Sequence, residues 1–369
     1  MLAVVTATVV AAAAAEIAPS HGVSINWDKQ PLEGFEAHPI ADLCTRYDLV
    51  VLDHPHVGEA VEAGCLRPIE DVLGAGALGA IATATIGPCL SSYRYAGRHW
   101  ALPLDAASQV MAYRPDLCEP LSTWARVLEM SAEGGVGISL AGPHALLSLL
   151  SIATALGNPP AEADTARLFR DDAGVEAVDI LRRLAAHAPA SIAGLNPIGI
   201  LAHMAQHDDV HLVPLIYGYV TYTRPAPDAH ALAFANAPRL AGGRPGSTLG
   251  GTGIGISTRC TITPELVRHL EWLLSPAAQS GFIPQHDGQP SRRDAWEDPA
   301  VNADWPGFYT ATQKTLEQAY VRPRYRGYIA WQTASSAFLR DAFIAGRATR
   351  DIVAHLNRTH AQAIGSRQR

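Results

Sequence analysis

The tetrapeptide Asp53-His54-Pro55-His56 sets a carboxylate and two imidazoles side by side. It lies where two patterns meet. Leu49, Val50, Val51 and Leu52 before it form an apolar run, and Val57, Ala60, Val61 and Gly64 after it follow a helical period. Imidazoles donate and accept hydrogen bonds near neutral pH. A run as apolar as 49–52 reads as a buried strand, and the end of such a strand in an open parallel sheet faces the crevice where ligands bind. Pro55 fixes its own φ and biases His54 toward an extended conformation, so the turn is shaped in advance. Asp53, His54 and His56 are therefore expected to contact a ligand. The plainer reading is that His54 caps the next helix and His56 is solvated. Catalysis needs more than these three groups: no Gly-x-Ser-x-Gly elbow occurs, and no catalytic residue is assigned.

Two other constellations have weaker chemistry. His203 and His207 stand four apart with His211 beyond, a spacing that could chelate a metal. Met204 occupies the place of the metalloprotease glutamate, and Gln206, Asp208 and Asp209 look like a solvated helix end, so no metal is expected. "GGTGIG" at 250–255 resembles a dinucleotide loop, which needs a strand before it and a helix after it. A loop precedes it and "IGIST" follows like a strand, so it reads as a close backbone approach or a domain crossing, and no cofactor is expected. The five cysteines are scattered without a CxxC pair, so neither a zinc site nor a disulfide framework is indicated.

The elements that position these residues alternate between strand and helix. Strands are expected at 22–27, 49–52, 96–105 and 108–114, with further strand in 210–222. Helices are expected from Leu121 with Ser122 as N-cap, and over 144–157, 172–187, 264–274, 308–319, 329–345 and 349–363. The N-terminal "MLAVVTATVVAAAAAEIAPS" reads as an Ala-rich helix ended by Pro19 and Gly22. A signal remnant and a strand at 2–10 are the other readings; no Lys or Arg precedes Lys29, so the basic start of a signal peptide is missing. The pattern is α/β with mostly parallel sheets. The 369 residues suffice for two domains, and a net charge of −7 without a basic block argues against nucleic acid or a membrane surface as partner.

Five segments in order resemble the bacterial extracellular solute-binding proteins of ABC importers, of the sugar-binding, maltodextrin-binding-protein type. They are "YDLVVLDHPHVGEAVEAGCLRPIEDVL", "YAGRHWALPLDAASQVMAYRPDL", "STWARVLEM", "EWLLSPAAQSGFIPQHDGQPSRRDAWEDP" and "VRPRYRGYIAWQTASSAFLRDAFIAGRATRDIVAHL". The resemblance implies an α/β, two-lobed periplasmic-binding-protein-like fold with discontinuous lobes and an interlobe cleft. The N-terminal lobe is expected at 1–105 and 253–299, the C-terminal lobe at 106–252 and 300–369, with hinges at 105–108 and 246–253. Family members begin with a strand before the first helix, whereas this chain looks as if it starts at the helix.

The resemblance places Asp53, His54 and His56 on the cleft wall, Asp105 and Gln109 at the first crossing, and Gly251 and Thr252 at the return crossing. Tyr217 and Tyr219 stand in for a sugar-stacking segment, and Trp331 for an aromatic platform. Aromatic faces suit the CH face of a sugar, while Asp, Gln and His suit its hydroxyls. Arg292, Arg293 and Arg324 permit an anion equally well. The implied function is capture of a small polar, carbohydrate-like ligand for the membrane subunits of an ABC importer, by a monomer at the periplasm or cell surface. The alternatives are an enzyme using the cleft histidines as acid and base, and a metal-binding importer protein using His54, His56 and the histidines at 203–211.

Overall fold

In a computed structural model, described at residues 1–5, 8–29, 39–161, 166–224 and 226–365, the run Leu49–Leu52 is a strand buried along its whole length. In chain order the strands are β1 (Leu2–Val5), β2 (Asn26–Lys29), β3 (Leu49–Leu52), β4 (Arg94–Tyr95), β5 (Arg98–His99), β6 (Leu102–Pro103), β7 (Ala107–Tyr113), β8 (Leu212–Tyr217), β9 (Ala233–Ala235), β10 (Leu249–Gly250) and β11 (Gly253–Ile256). The chain divides into two compact units. The first comprises Met1–Ala107, Gly250–Asn302 and Arg322–Ile329; the second comprises Ser108–Leu249, Ala303–Val321 and Ala330–Arg369.

The first unit holds a five-stranded sheet in the order β2-β1-β3-β11-β6. β1 runs parallel to both β2 and β3, and β11 runs antiparallel to β3 with Ile254 opposite Val51. β3 is apolar throughout because both of its faces are covered. Leu49 packs with Ile69, Ile254 and Leu266 on one side, and Val50 and Leu52 pack with Leu43, Val57 and Ala60 on the other. The helix Pro264–Leu273 starts as its sequence dictates: Thr263 accepts a hydrogen bond from the Leu266 N–H, and Pro264 occupies the first turn. The segment Arg322–Ile329, expected in the second lobe, packs in this unit. A Cβ on Gly58 would lie 1.7 Å from the Arg324 carbonyl oxygen, and Arg324 Nη1 donates to the Ser92 carbonyl at 3.2 Å.

The second unit is built on β7, which pairs antiparallel with β8 and β9. The helix His144–Ala155 is buried along nearly all its length, polar Ser148, Ser151 and Thr154 included. It packs on the helix Asp171–His187, which also meets Trp124–Glu133 and Thr349–Gly365.

Three local expectations are corrected. The N-terminus begins with a strand, Leu2–Val5, and the described helix is Thr8–Ile17. β1 finds parallel partners on both sides, and that outweighs continuing an Ala-rich helix back to Met1. The strand expected at 22–27 is displaced to Asn26–Lys29, because Gly22 is left-handed and closes the preceding 3-10 turn. Thr123, not Ser122, caps Trp124–Glu133, accepting from the Arg126 N–H at 3.5 Å. The Ser122 carbonyl is engaged by the Arg239 N–H. Among the described residues no helix is long and apolar enough to cross a membrane.

Candidate functional site

Beyond β3 the chain turns through a 3-10 helix, His54–His56, into the helix Val57–Glu62. His54 is 0% exposed and His56 4%, and neither acts as a side-chain cap. Asp53, one residue earlier, is partly exposed. Both ring nitrogens of His54 are buried without a hydrogen-bond partner among the described residues, and the ring meets Tyr93 edge-on at 6.4 Å. Burial pushes the His54 pKa well below the ordinary imidazole value, with the positive charges of Arg322, Arg324 and His56 adding to it. His54 is therefore neutral at physiological pH.

Tyr93 is the hub of this cluster. Its hydroxyl donates to the Leu52 carbonyl at 3.2 Å. Its pKa is pushed well above the phenol value by burial first, then by the negative charges of Asp53, Cys89 and Asp105, against the opposing charge of Arg322. Gly253 is required here, because a Cβ would lie 2.6 Å from the Tyr93 ring.

Asp105 is partly exposed as a residue, yet burial pushes its carboxyl up to about 7 against the lowering effect of backbone hydrogen bonds at Gln289 and Ala106. Gly251 has φ +84°, and a Cβ there would meet the Asp105 carbonyl oxygen at 2.4 Å. The Thr252 carbonyl accepts from the N–H groups of Leu104 and Asp105 at 2.9 and 3.1 Å. The glycine-rich stretch is thus a close backbone approach. β11 follows it, where a dinucleotide loop would open a helix. The first unit brings together Asp53, His54, His56, Asp105, Gly251 and Thr252 of the expected site residues, and adds Tyr93 and the buried Arg322.

The second unit holds the other four. Tyr217 ends β8, partly exposed, with its ring 6.0 Å from His144. Tyr219 lies past the strand end, also partly exposed. Gln109 is 1% exposed and its amide is used internally: Nε2 donates to Ser148 Oγ at 3.3 Å, and Oε1 accepts from Ser151 Oγ at 2.6 Å. Ser151 Oγ is also 2.9 Å from Thr248 Oγ1, and Ser247 Oγ donates to the Gln109 carbonyl at 2.6 Å. Trp331 is packed against the helix Thr349–Gly365, its indole N–H donating to Thr359 Oγ1 at 3.2 Å and its ring 5.0 Å from His360.

Elsewhere, His203 pairs with Asp209 at 2.6 Å and its ring lies tilted 4.4 Å from that of His207, as at a helix end. Among the described residues no group of three or more His, Cys, Asp or Glu could hold a metal ion. Arg292 is engaged by Asp294 at 2.6 Å. The sequence reading missed Tyr93 and Arg322. Arg322 sits in a segment that carried the family resemblance, "VRPRYRGYIAWQTASSAFLRDAFIAGRATRDIVAHL", and Tyr93 lies two residues before another, but nothing local shows that these side chains turn inward.

A buried polar cluster at the end of a parallel strand, in one of two α/β units built from discontinuous segments, is the construction of a solute-binding protein. The chain belongs to that class: the family model described as bacterial extracellular solute-binding protein matches residues 12–310. No curated protein matches the sequence. Solved structures share the fold over the whole chain. A solute-binding protein of an ABC transporter from Agrobacterium radiobacter K84, in complex with ribitol, has a TM-score of 0.79 at 18% identity, covering 98% of this chain and 97% of its own. Maltose-bound MalE3 of T. maritima has a TM-score of 0.79 at 16% identity, covering 98% of each chain. The GacH receptor of Streptomyces glaucescens, solved unliganded and with acarbose, has a TM-score of 0.80 at 16% identity, covering 98% of this chain and 97% of its own.

Proposed function

We propose that this protein captures a small polyhydroxylated solute, a sugar or polyol, for an ABC importer, and does no chemistry on it. The observation that carries this reading is the cluster around Tyr93, where partly exposed Asp53 and Asp105 sit at the strand end beside Arg322. Carboxylates accept from hydroxyls, and a guanidinium or phenol donates to them. The ligands named for the solved relatives, ribitol and maltose among them, are of this kind.

In this reading Asp53, Asp105, Gly251 and Thr252 make the polar contacts, and Tyr217 and Tyr219 supply aromatic faces. His54 and His56 shape the wall from behind, while Gln109 and Trp331 stiffen the scaffold. The two lobes, with Arg322–Ile329 in the first, close about hinges at 105–108 and 246–253. The protein works as a monomer at the periplasm or cell surface and delivers to the membrane subunits. A buried imidazole held neutral is a poor acid–base catalyst for a bound substrate, so the enzyme reading gains nothing from His54.

A thermal-shift screen of pentitols, hexitols, monosaccharides and maltodextrins tests the proposal. A ligand at a hundred times its Kd stabilises by about 2.7 kcal/mol, and calorimetry then gives affinity without turnover. Stabilisation by sugar acids or phosphates alone would replace the neutral solute by an anion, and conversion of any bound compound would overturn the reading.

A further inference from the structure

The five cysteines are far apart in sequence, and folding gathers two of them into one apolar cluster. Cys44 lies on the buried face of the helix Ile40–Arg46, beside Ile40 and Leu43. Cys65 follows the helix Val57–Glu62. Both belong to one apolar cluster with Leu43, Val57, Ala60 and Leu66, Cys44 inside it and Cys65 packed at its partly exposed edge. The backbone at Cys65 is held from two sides: its N–H donates to the Ala60 carbonyl at 3.1 Å, and its carbonyl accepts from the Thr258 N–H at 2.9 Å. The two thiols are near enough to shift each other's ionisation.

We infer that Cys44 and Cys65 are a disulfide-forming pair, whose bond would close the loop carrying β3 and Asp53-His54-Pro55-His56. The two sulfurs are not equivalent. The neighbouring Cys44 lowers the Cys65 pKa, while Cys65 and burial raise the Cys44 pKa. Cys65 is thus both the better thiolate and the more accessible sulfur, the two properties that decide which thiol reacts first. Burial pushes the other three thiols up, Cys89 to about 12 and Cys118 and Cys260 to about 11, so they are poor competitors. Extracellular proteins work where disulfides form and persist.

The oxidant is a disulfide of the surrounding compartment. Cys65 thiolate attacks one of its sulfurs, forming a mixed disulfide and releasing one thiolate. Cys44 gives up its proton and attacks the Cys65 sulfur, which forms the Cys44–Cys65 bond and expels the second thiolate. Two protein thiols are oxidised, one external disulfide is reduced to two thiols, and the released thiolates take up the two protons.

The test treats the folded chain with oxidised glutathione, alkylates the remaining thiols under denaturing conditions and maps unreduced peptides. The expected result is a peptide joining the segments of Cys44 and Cys65, three alkylated cysteines out of five, and a melting temperature raised by a few degrees, reversed by reductant. In Cys44→Ser the reaction should stall as a glutathione adduct on Cys65; in Cys65→Ser, Cys44 should stay unmodified. Five alkylated cysteines in the oxidised wild type, or a cross-link between any other pair, would overturn the inference. An adduct on Cys44 in Cys65→Ser, with none on Cys65 in Cys44→Ser, would overturn the order of attack.

Discussion

Replacing His54 by leucine should remove one defined part of the protein's acid sensitivity. His54 is wholly buried, neither ring nitrogen has a partner among the described residues, and burial and neighbouring cations hold its pKa well below that of a free imidazole. In the unfolded chain it titrates near the ordinary histidine value, about 6.5. Between pH 7.5 and 5.5 the unfolded chain takes up a proton that the folded protein refuses. Stability is thus complete above that value and is lost as pH falls toward the depressed folded pKa. For one imidazole that stays neutral when folded, this step costs about 1.4 kcal/mol. His269, also lowered, to about 4, contributes to the same trend but is present in both proteins. The assay is urea unfolding of wild type and His54→Leu at both pH values. Wild type should lose about 1.4 kcal/mol more than the variant over this interval. At pH 7.5 the variant should be as stable or more so, since an apolar group of similar size replaces two unpaired polar atoms. Equal pH dependence in the two proteins would refute the reasoning. So would a variant weakened by more than about 3 kcal/mol at pH 7.5, which would mean that His54 makes a bond worth keeping.

Four further outcomes are expected. Gly58→Ala must displace either its helix or the Arg322–Ile329 segment, because its Cβ would lie 1.7 Å from a backbone oxygen; denaturation should show a loss of at least about 1–3 kcal/mol. Gln109→Ala leaves Ser148 and Ser151 without their amide partner in a buried network; it should cost about 1–3 kcal/mol of stability, whereas calorimetry showing a loss of affinity alone would return Gln109 to the ligand. Tyr217→Ala should weaken solute binding by about 1–3 kcal/mol with little change in melting temperature, and the reverse pattern would make Tyr217 a packing residue. Asp105 has its carboxyl raised to about 7, so the folded form holds a proton that the unfolded chain releases. Its burial therefore costs stability progressively as pH rises from about 4 to 7, and Asp105→Asn should gain on wild type over that window in paired melting curves and no further above it.

Whatever depends on neighbours a few residues away was legible in the sequence. The Leu49–Leu52 run could only be a strand covered on both faces. Thr263-Pro264-Glu265 carried its own helix start, and five segments in order carried the family and with it the fold. The structure decided which polar groups are turned inward, because that depends on partners distant in the chain. Gln109, expected as a ligand contact at a crossing, meets Ser151, 42 positions away, and Ser151 meets Thr248, 97 positions away. Trp331, expected as a platform, donates its indole N–H to Thr359, 28 positions on. Gly251 was legible as a backbone approach, but not that the approach is to Asp105. The N-terminal stretch could not choose between strand and helix by propensity; two parallel neighbours made Leu2–Val5 a strand. Cys44 and Cys65 are the plainest case. Their spacing signals nothing, and only the packing of two short helices beside β3 makes them a pair.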